Sequence, residues 1–538
     1  MKKMIYVLLM LVPFIFSGAR SDAMPPHPDL LKKWRDEGTL EKNMMKVQSV
    51  TVRRNMNVNK ASSLSSGIIR IPVIIVSYSD TSASRTSGYF DNLLNGALPA
   101  DMSVQKYYKD MSNNTLTVEL DVYGPVTVSG TLGYYGANTG VAGTDAHPGE
   151  LAWDAVTAAT ASIDFSQYDN NNDGYVDCVI IIHAGAGEES GAATNTIWSH
   201  QWDLYNAGVA GDGGGVITND GKTISVYTMQ AEYDISNNST IGVFCHELGH
   251  VFGLPDLYDT NGTENGDTNG VGNWSLMASG SWGGNSDGKD PAPLLAWERY
   301  YAGGSSWVKY TDINPVSTIQ HKDRGLPDYI IVIFITLLSI SVIVTWKIKY
   351  LRNFTAPASA IILALAVSCT VEPATTSFDG SINDIESSHE AYRIPLAAQQ
   401  YLILEGKTSA ATTGWYVPGT GVLVTQIHEG IISTYYSSNT VNDGYDRVHG
   451  ITVVEAKTSF EPGKLRDTDT NPINDNTYYG SADDLFCSEN KSAISVSTTP
   501  GTDYYRNESV SSKTGDSGAS ITSISTRTTW PITFHAEY

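Results

Sequence analysis

Two histidines one helical turn apart, with a glutamate beside the first, carry the clearest chemistry in this sequence. They are His246, Glu247 and His250 in the run HELGHVFGLPD. Positions four apart share one face of a helix, so both imidazoles can reach a single metal ion. Gly253 can adopt the positive φ that turns the chain after the helix, which would deliver Asp256 as a third, oxygen ligand. Zinc keeps a fourth position for water, so the pattern predicts a catalytic zinc site.

The glutamate predicts what such a site would do. Glu247 would project beside the metal and take a proton from a water molecule that zinc acidifies. An isolated HExxH run is a weak signal, and the added Gly and Asp spacing strengthens it. We therefore expect a zinc-dependent endopeptidase that hydrolyses protein or peptide substrates, with Glu247 as general base.

Two alternatives remain open from the residues alone. The third ligand could be a later glutamate, and Glu264 is the nearest candidate, although it lies in a Gly- and Asn-rich loop rather than a helix. In the other alternative, the chain is a membrane-tethered surface binding protein that has lost catalysis. The intact Glu247 argues against that second alternative.

A methionine follows the metal motif in the Gly-containing run NWSLMASGSW, residues 273–282. A methionine in a tight turn beneath the metal is typical of the metzincin peptidases. Met277 is therefore predicted to form such a Met-turn, although a lone methionine more often fills core space.

A second set of oxygen side chains lies in the run DNNNDGYVD. Loop positions 1, 3, 5 and 9 are occupied by Asp169, Asn171, Asp173 and Asp177. This spacing resembles an EF-hand calcium loop, with a turn glycine at position 6. Position 12 is Ile180 rather than the usual bidentate glutamate, so calcium binding here would be modest or need other ligands. The alternative is a polar turn that leads into a strand.

Composition and termini limit the class of protein. The net charge of -23 argues against a nucleic-acid partner, because neutralising phosphates needs a basic face. The basic start and the apolar run that follows predict a signal peptide over residues 1–23 and a secreted, extracellular protein. Four scattered cysteines are no disulfide scaffold, although Cys178 and Cys245 could pair in an oxidising compartment.

The pattern of apolar runs predicts the domain order. Residues 24–66 are polar and are interpreted as an N-terminal arm or pro-segment. Residues 67–320 mix buried β-branched runs with helical spacing, which predicts an α+β catalytic domain. Residues 386–538 carry short β-branched runs between turn residues, which predicts a β-rich, sandwich-like module.

An apolar insert is predicted over residues 321–385. Residues 329–346 form an uncharged run long enough to span a membrane, and a shorter apolar run ends at Cys369. Three interpretations stay open: a transmembrane hairpin over 329–369 that tethers the protein, a foreign segment, or a buried core helix.

The metal motif and several flanking runs make the resemblance specific. HELGHVFGLPDLYD, NWSLMASGSW, SVQKYYKDMS and YDNNNDGYVDCVIIIHAGAG are similar to the immune inhibitor A-type family of secreted bacterial metallopeptidases. YLILEGK and GWYVPGTGVLVTQI resemble that family's region after the metal site. The likeness covers roughly 67–320 and 390–538, and the insert departs from it. The resemblance implies a metzincin-like fold, zinc, structural calcium, and Asp256 rather than a third histidine as ligand.

Overall fold

The computed structural model describes thirteen stretches of the chain: residues 22–40, 43–44, 64–96, 102–140, 144–210, 214–260, 269–283, 287–313, 377–409, 414–443, 449–456, 480–495 and 519–537. Residues 1–313 and 379–536 belong to one compact unit, and 314–378 with the last two residues belong to another. The helices are α1 (Pro28–Asp36), α2 (Ser87–Asn95), α3 (Val104–Met111), α4 (Leu132–Gly136), α5 (Pro148–Ala159), α6 (Ile241–Val251), α7 (Ala296–Gly303), α8 (Ile385–Ser388) and α9 (Glu429–Tyr435).

The strands before the predicted insert are β1 (Asp22–Ala23), β2 (Gly67–Ser77), β3 (Leu116–Thr127), β4 (Asn138–Thr139), β5 (Thr144–Asp145), β6 (Tyr175–Val176), β7 (Val179–Ala186), β8 (His200–Asp203), β9 (Val216–Ile217), β10 (Thr223–Ile224), β11 (Val226–Tyr233) and β12 (Lys309–Asp312). The strands from residue 377 onward are β13 (Ser377–Ile382), β14 (Glu390–Ala397), β15 (Gln400–Lys407), β16 (Gly421–His428), β17 (Ile451–Val453), β18 (Ile494–Ser495), β19 (Ser520–Thr522) and β20 (Ile532–Glu537).

A mixed sheet in the order β1-β8-β11-β7-β2-β3 forms the centre of the region that carries the metal motif. β3, β2, β7 and β11 run parallel, whereas β8 and β1 are antiparallel additions at one edge. The predicted continuous β-branched runs form β2 and β7, which are buried on both faces. This architecture is a mixed α/β arrangement with several sheets.

Helices cover both faces of the central sheet. Alternate residues of β2 face opposite sides, so that Val73 and Ile75 pack in one core while Ile74 and Val76 pack in another. The first core includes apolar residues of α2, α3 and α6, and the second includes those of α5. The metal-motif helix is therefore fixed to the sheet by an extended apolar interface.

The residues after 377 are β-rich, as the sequence predicts, and form two sheets in the described part of the chain. Their orders are β12-β14-β15-β16-β17 and β13-β20-β19-β18. β12 comes from before the predicted insert and pairs in parallel with β14. Ile403 and Leu423 of the first sheet belong to the same hydrophobic core as α6. The two regions therefore share a core.

Most of the predicted insert lies outside the described residues, since the structure describes nothing between 313 and 377. The run at 329–346 and Cys369 fall in that gap. The end of the predicted range is described: it forms β13 and the start of α8. Among the helices that the structure describes, none is both long and apolar enough to cross a membrane.

Candidate metal centre

The predicted helix forms and buries the metal motif. Residues 241–250 of α6 are all buried, and the side chains of His246 and Glu247 have no solvent exposure. The α-helical spacing brings the two imidazole rings together, with their centroids 4.8 Å apart. A buried pair of histidines in an apolar core needs a partner, because unpaired polar groups are costly there.

That partner is the third predicted ligand. His246 Nε2 lies 3.2 Å from His250 Nε2 and 3.1 Å from Asp256 Oδ1. The distance from His250 Nε2 to Asp256 Oδ1 is 3.4 Å. Among the described residues, these three make the only group of three or more His, Cys, Asp or Glu side chains close enough to hold an ion.

The spacing of the three atoms fits zinc. With zinc–ligand bonds of 2.0–2.1 Å, two ligands of a tetrahedral ion lie about 3.3 Å apart. The three measured separations of 3.1–3.4 Å bracket this value. Asp256 Oδ1 is buried and has no hydrogen-bond partner among the described residues beyond the two imidazoles. The donor set is that of a tetrahedral site with one position left for water.

Backbone carbonyls fix the orientation of both rings. His246 Nδ1 lies 2.9 Å from the carbonyl oxygen of Leu276, and His250 Nδ1 lies 2.8 Å from that of Leu254. A carbonyl oxygen only accepts, so each Nδ1 must carry the proton and donate it. In the neutral imidazoles the lone pair is then on Nε2, which points at the centre of the three-residue group. Such outer contacts are typical of metal-binding histidines.

Gly253 makes the bend that the sequence predicts. Its φ is 89°, a left-handed conformation that favours glycine, and its N–H donates to the carbonyl of His250 at 2.9 Å. The chain then passes Leu254 and returns Asp256 to the imidazoles. The pKa of Asp256 is set by two opposing effects: burial raises it, and the adjacent His250 and His246 lower it further than burial raises it. The side chain is therefore a carboxylate.

Asn439, which the sequence did not single out, contacts the third ligand. Its Oδ1 accepts a hydrogen bond of 2.8 Å from the backbone N–H of Asp256, and its Nδ2 donates to Asp256 Oδ2. Asn439 is 183 residues further along the chain. No local motif links the two positions, so only the fold reveals the contact.

Met277, the residue of the predicted Met-turn, packs against the helix that carries the metal motif. It is fully buried, and a Cβ added at Gly249 would lie 2.7 Å from its Sδ. Gly249 lies between the two histidines, so the thioether packs directly against the metal-binding turn of α6. The Met277 carbonyl also accepts from Leu257 N–H at 2.7 Å, which ties this turn to the chain that carries Asp256.

The alternative third ligand, Glu264, lies outside the described residues, which omit 261–268. Two histidines beyond the motif are buried in the sheet. Burial lowers the pKa of His183 and of His200 to about 4, and neither belongs to the metal group. Cys178 and Cys245 are buried and are not joined in a disulfide in the structure.

The predicted calcium loop forms a compact turn. Asp169 accepts hydrogen bonds of 2.9 Å from the backbone N–H groups of Asp173 and Gly174. Lys222 Nζ lies 2.7 Å from Asp169 Oδ2, so a lysine cation already contacts this carboxylate. The side chain of Asn171 donates to Asp177 Oδ1 at 3.1 Å, and its Oδ1 accepts from Asp173 N–H at 2.9 Å.

The first described residues cover the edge of the central sheet beside α6. β1 pairs with β8, so that Ala23 lies opposite His200. The Met24 carbonyl accepts from Trp198 Nε1 at 2.8 Å, and the Pro25 carbonyl accepts from Trp282 Nε1 at 3.0 Å. Met24 is itself fully buried and packs with Trp282 and with Val243 of α6.

Comparison with known proteins now identifies the region that carries this geometry. Residues 98–308 match the family model described as "Immune inhibitor A peptidase M6, catalytic domain". This stretch of the chain is similar to the catalytic domain of M6 peptidases. The matched model describes a peptidase, and the matched range contains His246, His250 and Asp256 together with Glu247 and Met277. It ends before the region that contains Asn439.

Part of the chain is also similar to two kinds of curated protein. The chain is 30% identical over 245 residues to the "Pre-pro-metalloprotease PrtV" of Vibrio cholerae, in strains M66-2 and ATCC 39315. It is 29% identical over 252 residues to "Immune inhibitor A" of Bacillus thuringiensis subsp. alesti. The alignments cover 41% and 42% of this chain, but only 26% and 35% of the relatives' lengths.

Proposed function

We propose that the protein is a zinc-dependent endopeptidase of the metzincin type, in which His246, His250 and Asp256 hold the metal. The observation that carries the proposal is the buried triangle of two Nε2 atoms and one carboxylate oxygen, with edges of 3.1–3.4 Å, directly beside Glu247. The glycine bend and the methionine packed under the helix support the metzincin assignment.

Each residue of the site has a separate role in the proposed hydrolysis. Zinc, when bound, acidifies a water molecule and polarises the scissile carbonyl. Glu247, held on the same helix as both imidazoles, accepts the proton of the attacking water and returns it to the leaving amine nitrogen. The carbonyls of Leu276 and Leu254 keep both Nδ1 atoms protonated, so the Nε2 atoms remain available as ligands. Burial of His246 and Glu247 keeps bulk water away from both side chains.

The proposed substrates are protein or peptide chains. We propose that the protein is exported and acts outside the cell. The apolar run after the basic N-terminus supports export. Tethering through 329–369 stays a prediction. The alternative of a surface protein without catalysis has no support, because the triad and Glu247 are all present and buried together.

The N-terminal segment is proposed to act as a pro-segment. Its first residue, Met24, directly follows β1, and the Met24 N–H donates to the Ser199 carbonyl at 3.1 Å, at the sheet edge next to α6 where an extended peptide could also pair. Met24 fills an apolar position against Val243, one helical turn before His246. The Vibrio relatives are named as a pre-pro form, which agrees with removal of such a segment.

Calcium at the 169–177 loop also stays a proposal. Oxygen side chains at the spacing of a calcium loop support it, and the Lys222 contact opposes it, because a calcium ion would have to displace that ammonium group. Equilibrium dialysis of the full chain with calcium would decide: no saturable binding, or binding that Asp169→Ala leaves unchanged, would reject this loop as the site.

The proposed function is tested with the full chain, before and after limited trypsin digestion. The wild type is expected to contain one zinc and to cleave casein until a chelator is added. Glu247→Gln keeps the zinc and loses activity by about 10²–10⁴-fold, because only the proton acceptor is removed. The exposed Glu390→Gln is the matched control. Cleavage by Glu247→Gln within a few-fold of the wild type would reject the general base, and cleavage that a chelator leaves unchanged would reject the metal.

A further inference from the structure

A short segment of the C-terminal region contacts the loop that carries Asp256 at several points. This segment, residues 436–443, lies against residues 253–260, which run from the glycine bend past Asp256. The hydroxyl of Tyr436 donates to the Gly253 carbonyl at 2.5 Å. Asn442 Nδ2 donates to the Leu257 carbonyl at 3.1 Å.

Further along, the same segment holds Thr260. The backbone N–H of Thr260 donates to Asp443 Oδ1 at 3.0 Å, and its hydroxyl donates to the same oxygen at 2.9 Å. These contacts are buried, where hydrogen bonds are strong and their loss is costly. The 436–443 segment therefore holds the ligand loop at both ends and at its centre.

Asn439 is the member of the segment that reaches the ligand itself. Its amide makes two hydrogen bonds to one residue, because Oδ1 accepts from Asp256 N–H and Nδ2 donates to Asp256 Oδ2. Asp256 Oδ2 therefore accepts the hydrogen bond from Asn439, and Oδ1 faces the imidazole Nε2 atoms at 3.1 and 3.4 Å. The amide fixes both the rotation of the carboxylate and the oxygen that is presented to the ion.

Asn439 is in turn held firmly. It caps the 3-10 turn Tyr436–Ser438 in the left-handed region, with a φ of 52° that asparagine tolerates better than most residues. Its N–H donates to the Tyr436 carbonyl at 3.0 Å, and its own carbonyl oxygen lies 3.2 Å from the Thr260 hydroxyl oxygen. Asn439 as a whole is 4% exposed, so water has little access to replace its hydrogen bonds to Asp256.

We propose that Asn439 is a positioning residue of the metal centre, which sets the Asp256 carboxylate as a single-oxygen ligand, and that the centre is therefore complete only with the C-terminal region present. The inference rests on the proposed function, since it assumes that zinc binds at the triad. It goes beyond the M6 domain match, which ends at residue 308. Outer residues that orient a metal ligand typically contribute 10–100-fold to metal affinity.

The test uses the full-length protein and zinc alone as the probe. Asn439→Gly removes the amide and keeps the left-handed turn, since glycine adopts positive φ without strain. Asn439→Asp keeps the shape but places a second carboxylate oxygen against Asp256 Oδ2. The matched control is Asn114→Gly, another asparagine with positive φ, 59°, whose side chain is exposed.

Zinc affinity is measured by competition with a chromophoric chelator, and cobalt(II) substitution reports the ligand geometry through its visible spectrum. Both Asn439 variants are expected to bind zinc 10–100-fold more weakly and to change the cobalt spectrum, while the control matches the wild type. Thermal melting of the metal-free proteins identifies any variant that has lost its fold. If one Asn439 variant is unfolded, the zinc affinity and cobalt spectrum of the other test the proposal.

Wild-type zinc affinity with an unchanged cobalt spectrum in a folded Asn439 variant would overturn the proposal, as would equal weakening in Asn114→Gly. A wild-type protein that binds zinc but cleaves no peptide would sink the proposed function instead. The affinity comparison between the variants would still stand in that case.

Discussion

Gly249 offers a sharp test of the packing beneath the metal-binding helix. Alanine is preferred over glycine inside a helix by about 1 kcal/mol, so Gly249→Ala would stabilise an isolated helix. In the folded protein the new Cβ would lie 2.7 Å from Met277 Sδ and 3.4 Å from its Cε. Because Met277 is fully buried, the overlap is relieved only by moving it, and overpacking of this kind costs about 1–3 kcal/mol.

A double-mutant cycle separates the two effects. We expect Gly249→Ala to destabilise the otherwise unchanged protein by up to about 2 kcal/mol, the overpacking cost less the helical gain. In a Met277→Ala background the clash is gone, and the same substitution should stabilise the protein by up to about 1 kcal/mol. The expected coupling energy is therefore about 1–3 kcal/mol, measured by urea unfolding of the metal-free proteins.

The cycle also predicts an effect on the metal. Displacing Met277 moves the chain whose Met277 carbonyl accepts from Leu257 N–H and whose Leu276 carbonyl accepts from His246 Nδ1–H. Zinc should therefore dissociate faster from Gly249→Ala. A coupling energy within about 0.5 kcal/mol of zero would refute the contact between Gly249 and the thioether. Stabilisation by Gly249→Ala alone would refute it as well.

Two further outcomes follow from buried groups near the site. Burial raises the pKa of Glu298 from its ordinary 4.5 to about 7. The protonated side chain therefore stabilises the folded protein below pH 4.5, and this stabilisation is lost as the pH rises to about 7. Relative to Glu298→Gln, the unfolding free energy of the wild type should fall by about 3 kcal/mol across that window, and parallel pH profiles of the two proteins would contradict this. Trp198→Phe and Trp282→Phe each remove a donor to the N-terminal segment, which should loosen it by about 1 kcal/mol per bond and speed its release by trypsin; an unchanged release rate would count against its role as a pro-segment.

The sequence predicts the local parts of the site well because each depends on neighbouring residues. The histidine spacing gives α6, Gly253 gives the bend, and the β-branched runs give β2 and β7. The exact start of a helix is set by its cap: α3 begins at Val104, where the hydroxyl of Ser103 accepts from the Lys106 N–H. Short polar caps compete closely, so helix starts are harder to predict than helices.

The rest depends on contacts between distant parts of the chain. The β-rich region was expected as a separate module, but its first sheet shares a core with the metal-motif helix. A buried ion pair, in which Arg299 Nη2 of α7 lies 2.6 Å from Glu386 Oε1, likewise joins residues from both regions. Neither hydropathy nor turn patterns indicate which two apolar surfaces will meet, and so Asn439 could not be recognised in advance.

The parallel pairing of β12 with β14 has a consequence for how the chain reaches this state. The residues that it joins lie on either side of the predicted insert, so a long loop must close before the shared core can form, and that closure carries an entropic cost that grows with length only slowly. Contacts of such sequence separation form late. During synthesis from the N-terminus, Asp256 emerges 183 residues ahead of the amide that fixes it. The nascent chain therefore carries an unfinished centre until most of the polypeptide has been made.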